Sequence, residues 1–323
     1  MDLLLSGERP KRYRRCSSFF KEQVTSFLRY QKVRILSVFF IVFSVVMLTT
    51  ITTAFASDVT FAVIGPHEYD LPVDYTESFN AIVQYGFWND DKRSFDNDGN
   101  TVSGSGTDTW VGLTKYVHFF KLDALPKVGF AYEIIWPEVA VHGNGSGTSG
   151  FGDPLTGGIF WFKPTGDPNL TMGLQSFVQI PIGDDELSNH SWNNFTSLHW
   201  DWNFGPKNKI NFDGDFGAVF RGDREKNGVT IEQGTTVHTN IRLAYSVNKF
   251  LSPFMAFDWC TKGTDKNKDT NEKTGSSNET TLGAGLMINI SPSMSFTARY
   301  GKSIDGKNTV KSDGVYFKFL YIW

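Results

Sequence analysis

Cysteine is nearly absent. Of 323 residues only two are cysteines, and Cys16 sits in a basic leader, which leaves Cys260 alone. A single thiol excludes an intramolecular disulfide and any cysteine-based zinc site. Catalytic signatures are equally scarce. There is no P-loop and no dinucleotide fingerprint. His142 lies near Ser146 and Ser149 in HGNGSGTSG, which raises a lipase or deacylase reading. A G-x-S-x-G elbow is missing, however, because Asn144 and Thr148 occupy the two glycine positions around Ser146. Ser197, His199 and Asp201 share a strand face, but spacing by two along one strand does not build a triad. Metal motifs fail too. His67-Glu68 begins an H-E-x-x-H, yet Leu71 stands where the second His belongs. Asp96, Asp98 and Asn100 resemble the start of a calcium loop, but Gly99 is misplaced and Thr107 is no carboxylate. Asp265, Asn267 and Asp269 fail in the same way, with Thr270 in place of the glycine. The sequence therefore predicts no enzyme, no cofactor and no metal.

Long apolar runs are also few. One stands out, Ile35 to Leu48, preceded by Lys32 and Arg34 and followed by Ala54-Phe55-Ala56. A basic flank, a short apolar run and a small-x-small site make a secretory signal, with cleavage expected after Ala56. The alternative is an uncleaved anchor, since 35–56 just suffices to span a bilayer. Residues 1–56 are read as a leader that includes Lys11, Arg12, Arg14 and Arg15. Beyond Ala56 positive charge is scarce as well: 22 Lys and Arg face 31 Asp and Glu. Such an acidic chain is a poor polyanion binder, so no nucleic-acid partner is expected.

What the chain does have is aromatic residues and glycine: 29 Phe, 11 Tyr, 9 Trp and 31 Gly. That enrichment without helical heptads favours an all-β fold. The final segment, DGVYFKFLYIW, is the most informative. Val315, Phe317, Phe319, Tyr321 and Trp323 fall on one strand face, because side chains alternate at period two. A water-soluble sheet seldom exposes such a face, whereas in lipid it is an asset. Bacterial outer-membrane proteins typically end in this way. The same five residues are therefore read as a signal to the barrel-assembly machinery, with outer-membrane lipid as the partner of that face.

From Glu77 onward the chain divides into runs at 77–88, 109–120, 128–141, 151–162, 170–182, 197–204, 210–221, 236–247, 251–261, 280–290, 294–302 and 313–322. Each is near the about 9–11 residues that a tilted strand needs to cross a membrane. Long and short connections alternate along the chain. NDDKRSFDNDGNTVSGSGTD and KGTDKNKDTNEKTGSSNE are long and polar, while KLDALPK, KPTGDPN and SPS are short. A chain running up and down through a membrane gives this pattern. The prediction is a twelve-stranded antiparallel up-and-down transmembrane β-barrel over 77–323, with both termini periplasmic. It should pair its last strand with its first, since closure alone removes both edges.

Several strands declare their faces. Leu198, Trp200, Trp202 and Phe204 alternate with Ser197, His199, Asp201 and Asn203; Ile210, Phe212, Phe216 and Phe220 with Asn211, Asp213 and Asp215; Val237, Ile241, Leu243 and Tyr245 with His238, Asn240 and Arg242. In lipid the apolar face turns outward and the polar face lines the lumen. Run 109–120 is less clear, because Lys115 and His118 fall on opposite faces. The expected lumen and selectivity residues are Glu133, Gln175, Gln179, His199, Asp201, Asp213, Asp215, His238, Arg242, Asp258, Arg299 and Lys318. The bland alternative is that such charges only brace the interior. Residues 57–76 are too apolar for free disorder, and they are read as a periplasmic arm or a partial plug.

Five segments carry a resemblance: HEYDLP (67–72), SGTDTWVGLTKYV (105–117), EIIWPEV (133–139), SGFGDPLTGGIFWFKP (149–164) and LQSFVQIPIGD (174–184). Together they resemble the outer-membrane family named for the meta pathway of phenol degradation. The most specific piece is Gly152-Asp153-Pro154 leading into a glycine-rich strand. The resemblance implies an outer-membrane barrel associated with uptake of aromatic or hydrophobic compounds, and it brings no catalytic residues. On physical grounds Pro154 blocks one ladder bond and marks a strand edge or bulge, and Asp153 is expected at the rim or lumen. The resulting expectation is a passive channel for a small-molecule solute. The rivals are a structural or adhesive barrel, a membrane lipase, and a soluble periplasmic β protein.

Overall fold

The computed structural model describes residues 63–323, except 105, 144, 145, 165 and 227. The expected leader and cleavage site lie outside the described residues. Twelve long strands carry the fold: β1 (Phe79–Asp90), β2 (Thr107–Phe120), β3 (Val128–Gly143), β4 (Leu155–Phe162), β5 (Leu170–Gln179), β6 (Asn193–Phe204), β7 (Ile210–Arg221), β8 (Thr236–Tyr245), β9 (Leu251–Lys262), β10 (Ser277–Ser291), β11 (Met294–Lys307) and β12 (Asp313–Ile322). Each pairs antiparallel with its chain neighbours, and β12 pairs with β1 from Ala81↔Ile322 to Asp90↔Asp313. The sheet is closed. Beyond β12, Trp323 N donates to Asn80 O at 3.0 Å and Asn80 N donates to Trp323 O at 2.9 Å, so the ladder continues to the last residue.

Tight connections lie at 121–127, 163–169, 205–209, 246–250 and 292–293, all at one rim. The opposite rim carries longer segments with small sheets of their own. Arg93–Phe95 pairs with Thr101–Ser103 and with Thr309–Val310. Arg224–Lys226 pairs with Val229–Glu232, which also meets Lys266–Asn267. Strands β10 and β11 run further than their apolar stretches predict. Asn278 and Glu279 pair with Lys307 and Gly306, so the polar residues after Gly301 extend the hairpin past the lipid-facing band.

The run expected at 151–162 is interrupted. A short strand, Ser146–Phe151, folds back on β3, then residues 152–154 leave the ladder, and β4 starts at Leu155. Asp153 explains the break. Its carboxylate is buried and accepts from Gly183 N at 2.9 Å and Asn189 N at 2.7 Å, which ties loop 180–192 to the wall. Gly183 is required there, since a Cβ would come within 2.6 Å of the Gly152 backbone.

Large side chains such as Trp110, Trp136, Phe160, Leu198, Phe216, Leu243, Met255 and Tyr300 are exposed on the outer face. On β12, Phe317 and Tyr321 are exposed while Tyr316 and Lys318 are buried inside. An apolar outer band on a closed antiparallel sheet is the solution for crossing lipid, because no backbone group is left unpaired.

Candidate functional site: the barrel interior

The inner wall has two unlike halves. On β6 to β11 it is polar, as the alternation predicts. Ser197, His199, Asp201, Asn211, Asp213, Asp215, His238, Asn240, Asp258 and Arg299 are all buried and face inward. On β1 to β5 the inner wall is largely apolar, with Lys115, Glu133, Gln175 and Gln179 as its polar groups. Ala81, Val83, Tyr85, Phe87, Val117, Phe119, Ala131, Ile159 and Trp161 are buried inside, while the outer face of the same strands mixes Ile82, Trp110, Tyr132 and Trp136 with a hydrogen-bonded polar group of Gln84, Thr114 and Glu138. The ambiguity of run 109–120 is resolved by position. Lys115 points inward and pairs with Glu133 at 3.3 Å, while His118 contacts Asn80 Oδ1 at 2.9 Å on the other face.

The polar half is densely bonded. Asp258 sits between two guanidinium groups: Arg242 at 2.7 Å and Arg299, all three fully buried. Asp215 contacts His238 Nε2 at 3.1 Å and accepts from Asn240 Nδ2 at 2.8 Å. Glu279 accepts from the Ser303 hydroxyl. A buried charge costs several kcal/mol unless it is paired, and these groups supply partners for one another.

Residues 63–75 are bonded to this interior. Arg242 donates to the Val63 and Ile64 carbonyls. His67 N donates to Asn211 Oδ1 at 3.2 Å, and the Tyr69 ring stacks on His199 at 4.3 Å. Glu68 takes Lys318 as its ion partner and accepts from the Tyr85 hydroxyl at 3.0 Å. Burial pushes the Glu68 carboxyl up, but Lys318 and Lys115 outweigh it and leave the group below its ordinary value. Further along, Trp161 Nε1 donates to Pro72 O at 2.8 Å, and the Tyr75 hydroxyl donates to Phe120 O at 2.7 Å.

Between the arm and the walls lies a cavity of about 910 Å³. Its lining joins Val83, Phe87, Val111, Leu113, Val117, Phe119, Ile135 and Phe177 to Lys115, Ser197 and the arm residues Glu68 and Tyr69. All twelve lumen candidates face inward, and they divide into two groups. Glu133, Gln175, Gln179, Asp215, His238 and Lys318 line the cavity. His199, Asp201, Asp213, Arg242, Asp258 and Arg299 are shut away among the strands and the arm. Of the pair in the lipase reading, His142 is exposed at the end of β3, and the Ser146 side chain lies outside what is described.

Residues 91–319 match the family described as "Putative MetA-pathway of phenol degradation". The chain belongs to that family. No curated protein matches the sequence. Among solved structures, the COG4313 outer membrane channel from Pseudomonas putida F1 is similar at 16% identity, with a TM-score of 0.69, over 80% of this chain and 100% of that one. It shares the fold. The transport unit of the autotransporter AIDA-I from Escherichia coli aligns at 14% identity and TM-score 0.42, over 77% of this chain and 90% of that one. A Pseudomonas aeruginosa FadL homologue aligns at 10% identity and TM-score 0.44, over 84% and 98%. Likeness that weak says nothing about function.

Within the Gly152-Asp153-Pro154 segment, Asp153 anchors loop 180–192 beside the cavity residues Gln179 and Asn189. Sequence reasoning missed the apolar lining of β1 to β5, because large apolar residues occur on both faces there and some polar ones, such as Gln84 and Glu138, face outward. It also missed Glu68 as the partner of Lys318, since the two are far apart in the chain and only the fold brings them together.

Proposed function

We propose that the protein is a passive outer-membrane channel for small hydrophobic or aromatic solutes, with short turns and termini on the periplasmic side. The observation that carries this reading is the cavity of about 910 Å³ with an apolar wall on β1 to β5 and polar groups opposite. The lining is divided between apolar side chains and polar or charged ones, which suits a small molecule with an apolar body and a polar end. In the same reading, residues 57–76 act as a partial plug, and Lys115, Gln175 and Lys318 orient the solute's polar end. Family membership supports the solute class through the degradation pathway in the family's description.

The test is flux. Refolded protein in liposomes should pass an aromatic acid faster than a sugar, and removal of 57–76 should raise both rates. A heat-modifiable, well-folded barrel that passes neither solute, with or without that segment, refutes the channel reading.

A further inference from the structure

We propose that His67, Asp70 and Asp201 form a divalent transition-metal site that fastens the arm to the barrel wall. The sequence pattern offered no second histidine at position 71, but the fold supplies a ligand from elsewhere. One ligand atom from each of the three residues lies within 4.8 Å of the other two. His67 Nδ1 and Asp70 Oδ2 are 3.6 Å apart. Ligands at about 2.1 Å from a tetrahedral metal lie about 3.4 Å from one another, so this pair is already at the required spacing. Closing onto Asp201 needs a side-chain adjustment on the order of 1 Å.

A second observation comes from the wall. Asp201 is fully buried, and its Oδ2 accepts no hydrogen bond. Directly across the strand pair stands Asp213, also fully buried, with Oδ1 unpartnered. Asp213 Oδ2 accepts from Glu68 N at 3.3 Å, and Arg242, which also binds Asp258, stands opposite Asp213. No basic side chain pairs with Asp201 among the described residues, so its buried carboxylate is the one that a cation would serve.

The ligands are braced as metal ligands usually are. Asn211 Nδ2 donates to Asp201 Oδ1 at 2.6 Å, while its Oδ1 accepts from His67 N at 3.2 Å. Asn203 Nδ2 donates to Asp70 Oδ2 at 3.0 Å. His67 itself is held at φ 57, a left-handed conformation rare outside glycine, so its ring is placed against local backbone preference. One imidazole and two carboxylates suit Zn²⁺, Mn²⁺ or Co²⁺ better than Ca²⁺, which takes all-oxygen sets of six to eight ligands. Asp70 is half exposed, which leaves the site a route to solvent.

The experiment uses the chelator-treated full chain, refolded in detergent, titrated with Co²⁺ and Zn²⁺. The expected result is one saturable equivalent per chain, with Co²⁺ d–d absorption and greater hydrogen-exchange protection of residues 67–72. Asp201→Asn and His67→Ala should each abolish the absorption. Asn203→Ala should weaken binding roughly 10- to 100-fold. Asp223→Asn, at a distant exposed pair, should change nothing. His67 lies on the arm, so its variant keeps the test valid if the wall variant fails to fold. Absence of a saturable equivalent overturns the proposal, as does binding that survives both ligand substitutions. Binding is read without any flux measurement, so failure of the channel reading leaves this result standing.

Discussion

The two halves of the inner wall solve the same problem in opposite ways. Strands β6 to β11 fill their side of the lumen with charges that pair across strands, such as Asp258 with Arg242 and Arg299. Strands β1 to β5 line theirs with Val83, Phe87, Leu113, Phe119 and Ile135, which face the open cavity. Outside, both halves present large apolar side chains, interrupted on β1 to β3 by the polar group of Gln84, Thr114 and Glu138. The difference teaches that one half is a brace and the other a surface. Paired charges must interlock to repay their desolvation, so most of the polar half is filled, and it borders the cavity only through groups such as Asp215, His238 and Arg221. Apolar side chains make no such demand on one another and tolerate a void.

The comparison breaks most severely at Asp258. Asp258→Ala removes the carboxylate that Arg242 and Arg299 share in the buried interior and should cost about 3–5 kcal/mol, measured by urea unfolding of the refolded barrel. Replacing all three residues together with apolar side chains of similar volume should cost less than Asp258→Ala alone, and what cost remains should come from the Val63 and Ile64 carbonyls that lose Arg242 as donor. On the other wall, Trp161→Ala should cost about 3 kcal/mol in the same assay, the low end for a buried aromatic, because the void opens toward the cavity. It should also free the Pro72 carbonyl and loosen the arm.

A smaller effect is expected from Leu113→Gln. It puts an amide on the apolar wall and should lower the ratio of aromatic to sugar flux while leaving the urea midpoint almost unchanged. Smaller again is the pH response of the arm. The Glu68 carboxyl lies below its ordinary value of 4.5 in the folded state. Its contribution is therefore fully present above that value and is lost as pH falls through the lower folded value. The hydrogen-exchange protection factors of residues 63–73, corrected for the intrinsic pH dependence of exchange, should hold from neutral pH to about 4.5 and fall below it. Glu68→Gln should remove that step. The least effect belongs to the exposed Lys268–Asp223 pair, where Lys268→Ala should leave unfolding unchanged within error.

The fold was legible to a high degree, for a physical reason. A strand in lipid must show an apolar face and pair both edges, so run lengths, alternating connections and closure of 313–322 on the first strand could all be read in advance. Boundaries slipped where polar residues continue a strand beyond the lipid, as from Ser303 to Lys307 in β11. The interior was legible only on one side. Inward Asp213, Asp215, His238 and Arg242 betray themselves by alternating with outward Phe212, Phe216, Val237 and Ile241. Inward Val83 and Phe87 do not, because Ile82 and Trp88 on the other face are apolar as well.

Local pattern thus determined the strands, their number and their order around the barrel, since period-two alternation and turn spacing are properties of neighbouring residues. Tertiary structure decided everything that depends on distance across the lumen. Lys318 meets Glu68, Asn211 holds His67, and Asp201 comes to His67 and Asp70, all through residues remote in the chain. No periodicity encodes such pairs. They follow from the closure of the sheet, which places the arm and the opposite wall within reach of one another.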